Sequence, residues 1–407
     1  MNPALPPLLD DEYTGAPVQR LLNFIVSKRD AGARGVGLYC GYAPVELIRA
    51  MGAVPISLCA FSQKTITAAQ EVLPANLCPL IKSSYGFIRT DTCPFFGLSD
   101  AVIAETTCDG KKKMFELIAD RKPLHVMDLP QLADEPEALD AWTAMVRRLK
   151  RFLETTFETA ISQEAIEREI CETNRRNRLM DRFFSYAEAQ PVLLSWSEMY
   201  DVIGLALAST ATELETLLRR VTAALDERRA RGLCPGRPDS PRVLVTGCPL
   251  GGDSAKVLRL IEEAGGMVVA HDACSGMKLF QMVIDEGTGD PLRALARAYL
   301  TIPCSCMTPN TRRLTALDAY VRRFRPDAVI DVTLVACHSY NIESYTVGRH
   351  VKEAHGLPFL QIETDYSGSD VERIRNRVDA LLEGCGRPEP RGSFTHPAGV
   401  PATGDAQ

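Results

Sequence analysis

The stretch DAVIDVTLVAC (327–337) decides the fold. It is a short, nearly continuous apolar run with a proline just before it and polar residues just after, the pattern of a strand buried on both faces. Working outward, three more such runs share its half of the chain: PRVLVTGC (241–248), GMVVAHD (266–272) and LPFLQIETD (357–365). Helical pattern separates them. A strand–helix–strand order predicts a parallel sheet with right-handed crossovers. The first half has a similar layout, with VGLYC (36–40), AVPISLC (53–59), AVIAETTC (101–108) and PLHVMDLP (123–130) as strands. Between the first two, PVELIRAMG (44–52) reads as a helix with Pro44 near its first turn and Gly52 past its end. No sequence repeat is strong enough to claim duplication.

Residues 134–230 are charged and helical in period, most clearly in ALDAWTAMVRRLKRFLETTF (138–157) and ELETLLRRVTAALDERRARG (213–232). A Pro/Gly break, CPGRPDSP (234–241), ends them. The expected architecture is α/β. Two doubly wound parallel-sheet domains of the flavodoxin or Rossmann type, 1–132 and 241–385, are joined by a helical connecting segment, 133–240. The tail 386–407 is rich in Pro and Gly and reads as disordered.

At 407 residues with 45% hydrophobic content, the chain has enough apolar material for two or three domains. A net charge of −6 and the lack of a basic tract give no reason to expect nucleic acid. The N-terminal MNPALPPLLDDEYTG is acidic and Pro-rich, unlike a signal peptide. No run of eighteen apolar residues occurs, so no membrane span is expected. The expected compartment is the cytoplasm, where thiols stay reduced.

Thirteen cysteines then need a reason, and their odd number forbids complete intrachain pairing. Cys40, Cys59, Cys108, Cys248 and Cys337 each fall where an apolar run ends. In open α/β sheets ligands bind at the carboxyl ends of the strands, so these thiols can converge. A single buried cysteine is as easily a core residue; the strand-end set points to a soft-metal site. Cys78, Cys93 and Cys108 lie at equal intervals, and Pro follows the first two. Cys108 precedes a helix opened by Lys111, Lys112 and Lys113, whose N-terminal dipole is expected to lower the thiol pKa. Zinc usually takes C-x2-C pairs, and the chain has none, so iron–sulfur is the first candidate. Of Cys304 and Cys306 in a C-x-C pair, at most one is expected to be a ligand. His338 beside Cys337 reads more simply as a polar residue at a strand end than as a catalytic group. Cys171, Cys234 and Cys385 read as incidental. The glycine-bearing TGCPLGGDSAK (246–256) is not a dinucleotide fingerprint, and no Walker-type phosphate loop occurs, so any ATP must be bound by a partner.

Several long runs carry a resemblance. They are YCGYAPVELIRAMGAVPISLC (39–59), LCPLIKSSYGF (77–87), DTCPFF (91–96), AETTCDGKKKM (104–114), TGCPLGG (246–252), CSCMTPN (304–310), ACHSYNIES (336–344) and IETDYS (362–367). Together they resemble the 2-hydroxyacyl-CoA dehydratase and benzoyl-CoA reductase superfamily, closest to its double-cubane cluster branch, over about residues 20–383. The resemblance implies an iron–sulfur cluster in the cleft between two α/β domains. By position, Cys78, Cys108 and Cys337 correspond to the ligands of one four-iron cubane. Cys40, Cys93 and Cys304 are the candidates for a second, with Cys59, Cys248 and Cys306 in reserve. The resemblance also implies a separate homodimeric ATP-dependent iron–sulfur activator as electron donor, and a homodimer or a heterodimer with a related subunit. Two enzymes fit: a double-cubane reductase of a small substrate, or a dehydratase subunit with one cubane acting by radical dehydration of a CoA thioester. A third reading is an electron carrier without a substrate of its own.

Overall fold

Each of the eight apolar runs forms a strand. The computed structural model describes residues 17–385 and residues 5, 8 and 9, so the tail from 386 lies outside the described residues. The first sheet holds β1 (Gly35–Leu38), β2 (Val54–Ser57), β3 (Ala101–Glu105) and β4 (Leu124–Met127) in the order β2-β1-β3-β4. The second holds β5 (Arg242–Gly247), β6 (Met267–Asp272), β7 (Ala328–Leu334) and β8 (Phe359–Thr364) in the order β6-β5-β7-β8. All pairings are parallel. Strands β3, β5, β6 and β7 are buried at every residue, as helices on both faces require. The edge strands β4 and β8 are partly open, and Pro55, which has no N–H to give a ladder, lies on edge strand β2.

The helices in chain order are α1 (Pro17–Asp30), α2 (Val45–Ala50), α3 (Ile66–Ala69), α4 (Pro79–Arg89), α5 (Pro94–Leu98) and α6 (Asp109–Ile118). The charged middle segment folds into α7 (Ala138–Phe157), α8 (Gln163–Phe184), α9 (Trp196–Ala208) and α10 (Ala211–Ala230). The second half adds α11 (Lys256–Glu263), α12 (Pro291–Leu300), α13 (Thr311–Phe324), α14 (His338–His355) and α15 (Val371–Gly384). Local chemistry sets several starts. Capping boxes, Ser195 with Glu198 and Thr210 with Glu213, open α9 and α10. A proline in the first turn opens α4, α5 and α12.

The two sheets are tied across a cleft. The long β6–β7 connection leaves the second sheet and lays α12 against α7, in the core that holds Trp142, Leu149 and Leu295. Tyr42 donates its hydroxyl to the Ile302 carbonyl at 3.1 Å, and Tyr299 donates to Glu46 at 2.9 Å. On the other side the Asp253 N–H reaches the Phe61 carbonyl at 2.8 Å. A glycine controls the turn at the cleft end of β5. Gly247 has φ +115°, and a Cβ there would lie 2.1 Å from the Val332 carbonyl. That closeness lets the Cys248 N–H reach the same carbonyl at 2.8 Å and fixes the thiol at the strand end.

Candidate metal centre

Six strands carry a cysteine one to three residues past their last residue: Cys40, Cys59, Cys108, Cys248, Cys274 and Cys337 follow β1, β2, β3, β5, β6 and β7. Loops and helix starts add the rest. Cys78, Cys108 and Cys337 occupy the N-cap positions of α4, α6 and α14. Three helix N-termini therefore direct backbone N–H groups at thiols, a field that favours sulfur in its anionic form.

The thiols fall into two adjoining groups. In the first, Cys337 lies beside both Cys78 and Cys248, and Cys108 and Cys59 are within electrostatic reach of Cys78. In the second, Cys304 and Cys306 lie side by side, and Cys40 and Cys274 are within electrostatic reach of Cys304. The C-x-C pair was expected to offer only one sulfur. The loop is not extended: the Met307 N–H closes a turn on the Cys304 carbonyl at 3.0 Å, which turns both sulfurs to one place.

Cys93 stands outside both groups. It caps α5 and accepts from the Phe96 N–H at 3.3 Å, with Lys122, which precedes β4, as its charged neighbour. The segment after it packs the Leu98 carbonyl against Gly35, where β1 begins. Cys93 is thus on the amino-end side of the sheet. Cys274, not anticipated, is half-buried beside Cys40 and Cys304. It lies two residues beyond β6, as Cys40 and Cys59 do beyond β1 and β2, and that rule could have found it.

Two lysines face the thiols. Lys111 donates to the Tyr39 carbonyl at 2.9 Å and, although burial works against its charge, Cys40, Cys59, Cys108 and Glu105 hold its pKa above the ordinary range. Lys278 lies 3.6 Å from Asp272, donates to the Pro303 carbonyl at 3.2 Å, helps to lower the Cys304 thiol, and opposes the burial that raises Cys274. Lys112 and Lys113 are exposed and pair with Asp109 and Glu116. The helix dipole was expected to lower the Cys108 pKa, and Lys111 adds to it in the structure. In the metal-free chain burial outweighs them and the thiol is raised. Cys304 is lowered, chiefly by the hydrogen bond from Cys306, with help from Lys278 and Tyr340, whose hydroxyl is 3.9 Å away. Behind this group Arg313 stacks on the Tyr340 ring at 4.9 Å and meets Glu343 at 3.2 Å. His338 is exposed at the start of α14. The turn after β5 is closed to a phosphate, since a Cβ on Gly252 would lie 2.4 Å from the Phe61 carbonyl.

The donor set suits an iron–sulfur cluster better than a single ion. Tetrahedral zinc with Zn–S bonds of about 2.3 Å brings its sulfurs within about 4 Å of one another. Among the described residues, the group of three Cys, His, Asp or Glu ligand atoms lying within 4.8 Å is Asp318, His350 and His355, away from the thiols on α13 and α14. The thiols instead surround a wider space. Tyr366 brings a buried hydroxyl without a hydrogen-bond partner to its edge, beside Cys78, Cys248 and Cys337, a donor that sulfide or thiolate can satisfy. A cavity of about 290 Å³, walled mainly by apolar side chains, opens beside it and is bordered by Cys40, Cys59, Cys274 and Lys111.

Glu105 gives a pH-dependent prediction. Its side chain is fully buried, Oε1 accepts from the Ala43 N–H at 2.9 Å, and Oε2 has no partner. Burial pushes the carboxyl from 4.5 up to about 7, against Lys111 and the Ala43 N–H. The folded metal-free chain thus holds a proton that the unfolded chain releases earlier. Stability from this group is full below pH 4.5 and falls as pH rises through about 7, by up to ~3 kcal/mol. Melting of the metal-free protein at pH 5 and pH 8 is expected to show a smaller difference in Glu105→Gln than in wild type. Equal differences would contradict it.

Known proteins resemble this chain over most of its length. Residues 40–384 match the family model described as 2-hydroxyglutaryl-CoA dehydratase, D-component. YjiM of Escherichia coli (strain K12), named provisionally as a dehydratase subunit, is 42% identical over 382 residues, covering 93% of this chain and 98% of its own. The beta subunit of lactoyl-CoA dehydratase from Anaerotignum propionicum is 24% identical, covering 88% of this chain and 93% of its own. One of the subunits of benzoyl-CoA reductase from Thauera aromatica is 20% identical, over 64% of this chain and 66% of its own.

Proposed function

The chain belongs to the 2-hydroxyglutaryl-CoA dehydratase D-component family, in the 2-hydroxyacyl-CoA dehydratase and benzoyl-CoA reductase superfamily, and from that membership we propose an iron–sulfur redox enzyme with two linked four-iron cubanes. The observation that carries this reading is the division of the thiols into two adjoining groups. Cys78, Cys108 and Cys337, with Cys248 in contact, would hold one cubane. Cys40, Cys274 and Cys304, with Cys306 in contact, would hold the other, and Cys274 replaces Cys93 in the set expected from sequence. When bound, such clusters supply electrons at low potential.

The chain's own residues would set the conditions. Lys111 and Lys278 balance the negative charge of the thiolates, and the helix N-termini at Cys78, Cys108 and Cys337 add to that field. Tyr42 and Tyr340 set the hydrogen bonding at Cys306 and Cys304. The apolar walls of the cavity keep bulk water from the reacting substrate. The sequence has no phosphate-binding loop, so low-potential electrons would come from a separate homodimeric ATP-dependent iron–sulfur activator. Reduced thiols of this number fit the cytoplasm. Among the described residues no helix is long and apolar enough to cross a membrane. The native assembly would be a homodimer or a heterodimer with a related subunit.

A second reading, one subunit of a 2-hydroxyacyl-CoA dehydratase with a single cubane, is favoured by the dehydratase names of YjiM and the lactoyl-CoA enzyme. Anaerobic assays with activator, ATP and a strong reductant separate the two. Reduction of a small substrate by the chain alone with its activator supports the double-cubane enzyme. Turnover only of a 2-hydroxyacyl-CoA, and only with a second subunit present, supports the dehydratase. No ATP-dependent turnover of either kind would contradict both.

A further inference from the structure

One buried charge on the cavity wall has no use so far. Arg176, on α8, keeps only 5% of its exposure and lines the cavity that Cys40, Cys59 and Cys274 border. Its Nε and Nη1 are buried without a hydrogen-bond partner. Neighbours on the same helix are all satisfied. Thr173 donates to Glu46 at 2.7 Å, Asn174 to the Ile284 carbonyl at 2.7 Å, and Asn177 to the Met282 carbonyl at 2.7 Å. These bonds pin the helix to both halves of the chain and hold Arg176 in place. A buried guanidinium with unmet donors is costly to the free protein, and such a residue is retained where a ligand completes it.

From this we infer that the cavity binds the carboxylate of a small organic acid, with Arg176 as its anchor and the rest of the molecule directed into the space beside the thiols. The guanidinium fork matches a carboxylate in two parallel hydrogen bonds. Arg49 reinforces the positive field from the same wall: its Nη2 donates to the Leu207 carbonyl at 2.8 Å and its Nη1 is also unpartnered. Asp201, the acid on this wall, is engaged by Arg20 through Oδ2, and its Oδ1 is buried without a partner. A volume of about 290 Å³ admits a compact acid or the acyl end of a larger molecule. The inference deepens the proposed redox function by naming its substrate class, and rests on that reading only for what happens after binding.

The test is calorimetric titration of the anaerobically purified full chain, with iron and sulfide measured on the same samples. The probes are 2-hydroxypropanoate, its neutral amide, and the CoA thioester of 2-hydroxyglutarate, which keeps a free carboxylate at its acyl end. The acid is expected to bind at least tenfold more tightly than the amide. Arg176→Met is expected to lose that preference and Arg176→Lys to keep part of it. Arg176→Met is also expected to raise the melting temperature of the ligand-free protein by about 2 °C or more, because an unsatisfied buried charge is gone. A purely structural arginine would lower it. Tighter binding of the thioester than of the free acid, lost in Arg176→Met, assigns the carboxylate to a CoA-bound diacid; the reverse order assigns it to a free acid. Equal affinity for acid and amide, unchanged acid binding in Arg176→Met, or no binding of any carboxylate probe overturns the inference. Full iron in those same samples leaves the cluster reading standing, and missing iron with intact carboxylate binding does the opposite.

Discussion

Cys337→Ala, prepared anaerobically, is expected to lose at least the cubane it helps to hold, so that bound iron falls from about eight per chain to about four or fewer. Cys337 is the hub of its group: it lies beside Cys78 from one half of the chain and Cys248 from the other. Removing it takes away one ligand and the link between the two halves together. Cys78→Ala and Cys108→Ala are expected to follow it. The fold should survive each change, since none of the three belongs to a strand and Cys337 and Cys108 are only partly buried. Circular dichroism like that of wild type, with iron lost, is the predicted combination. Full iron in any of these variants would remove that residue from the ligand set.

The second large effect belongs to the other group. Cys304→Ala, Cys40→Ala and Cys274→Ala are each expected to leave about half the wild-type iron, with one cubane's spectrum remaining. Cys93→Ala is expected to keep all of it. The contrast is informative because Cys93 and Cys304 stood on equal terms in the sequence and Cys274 did not figure at all. If Cys93→Ala halves the iron and Cys274→Ala does not, the spatial grouping is wrong. If none of the four lowers it, one cubane is present and the dehydratase reading gains.

The sequence carried the fold class far. Continuous apolar runs such as those around Val245 and Ile330 are buried strands in parallel sheets, because only strands covered on both faces can be apolar throughout. The strand-end rule brought Cys40, Cys59, Cys108, Cys248 and Cys337 to the cleft-facing edges. It was not applied to Cys274, which lies two residues past the strand GMVVAHD, whose last residues His271 and Asp272 are polar. Both are buried, Asp272 accepting from Thr246 at 3.0 Å and facing Lys278. Equal spacing does not place Cys93 beside Cys78 and Cys108. Between it and Cys78 runs the eleven-residue α4, which carries the chain about 16 Å. Five-residue β3 then brings it back about as far to Cys108. Two equal intervals in sequence are thus an outward and a return journey, and only their endpoints meet. The unmet donors of Arg176 left no trace in sequence, because an arginine on a charged helix reads as solvated until the packing around it is known.

Iron and acid-labile sulfide analysis of the anaerobically purified chain, with electron paramagnetic resonance after reduction, tests the central claim most directly. About eight iron per chain with signals of interacting four-iron centres is the predicted result. Protein that stays colourless and iron-free after anaerobic reconstitution, although folded, would contradict it.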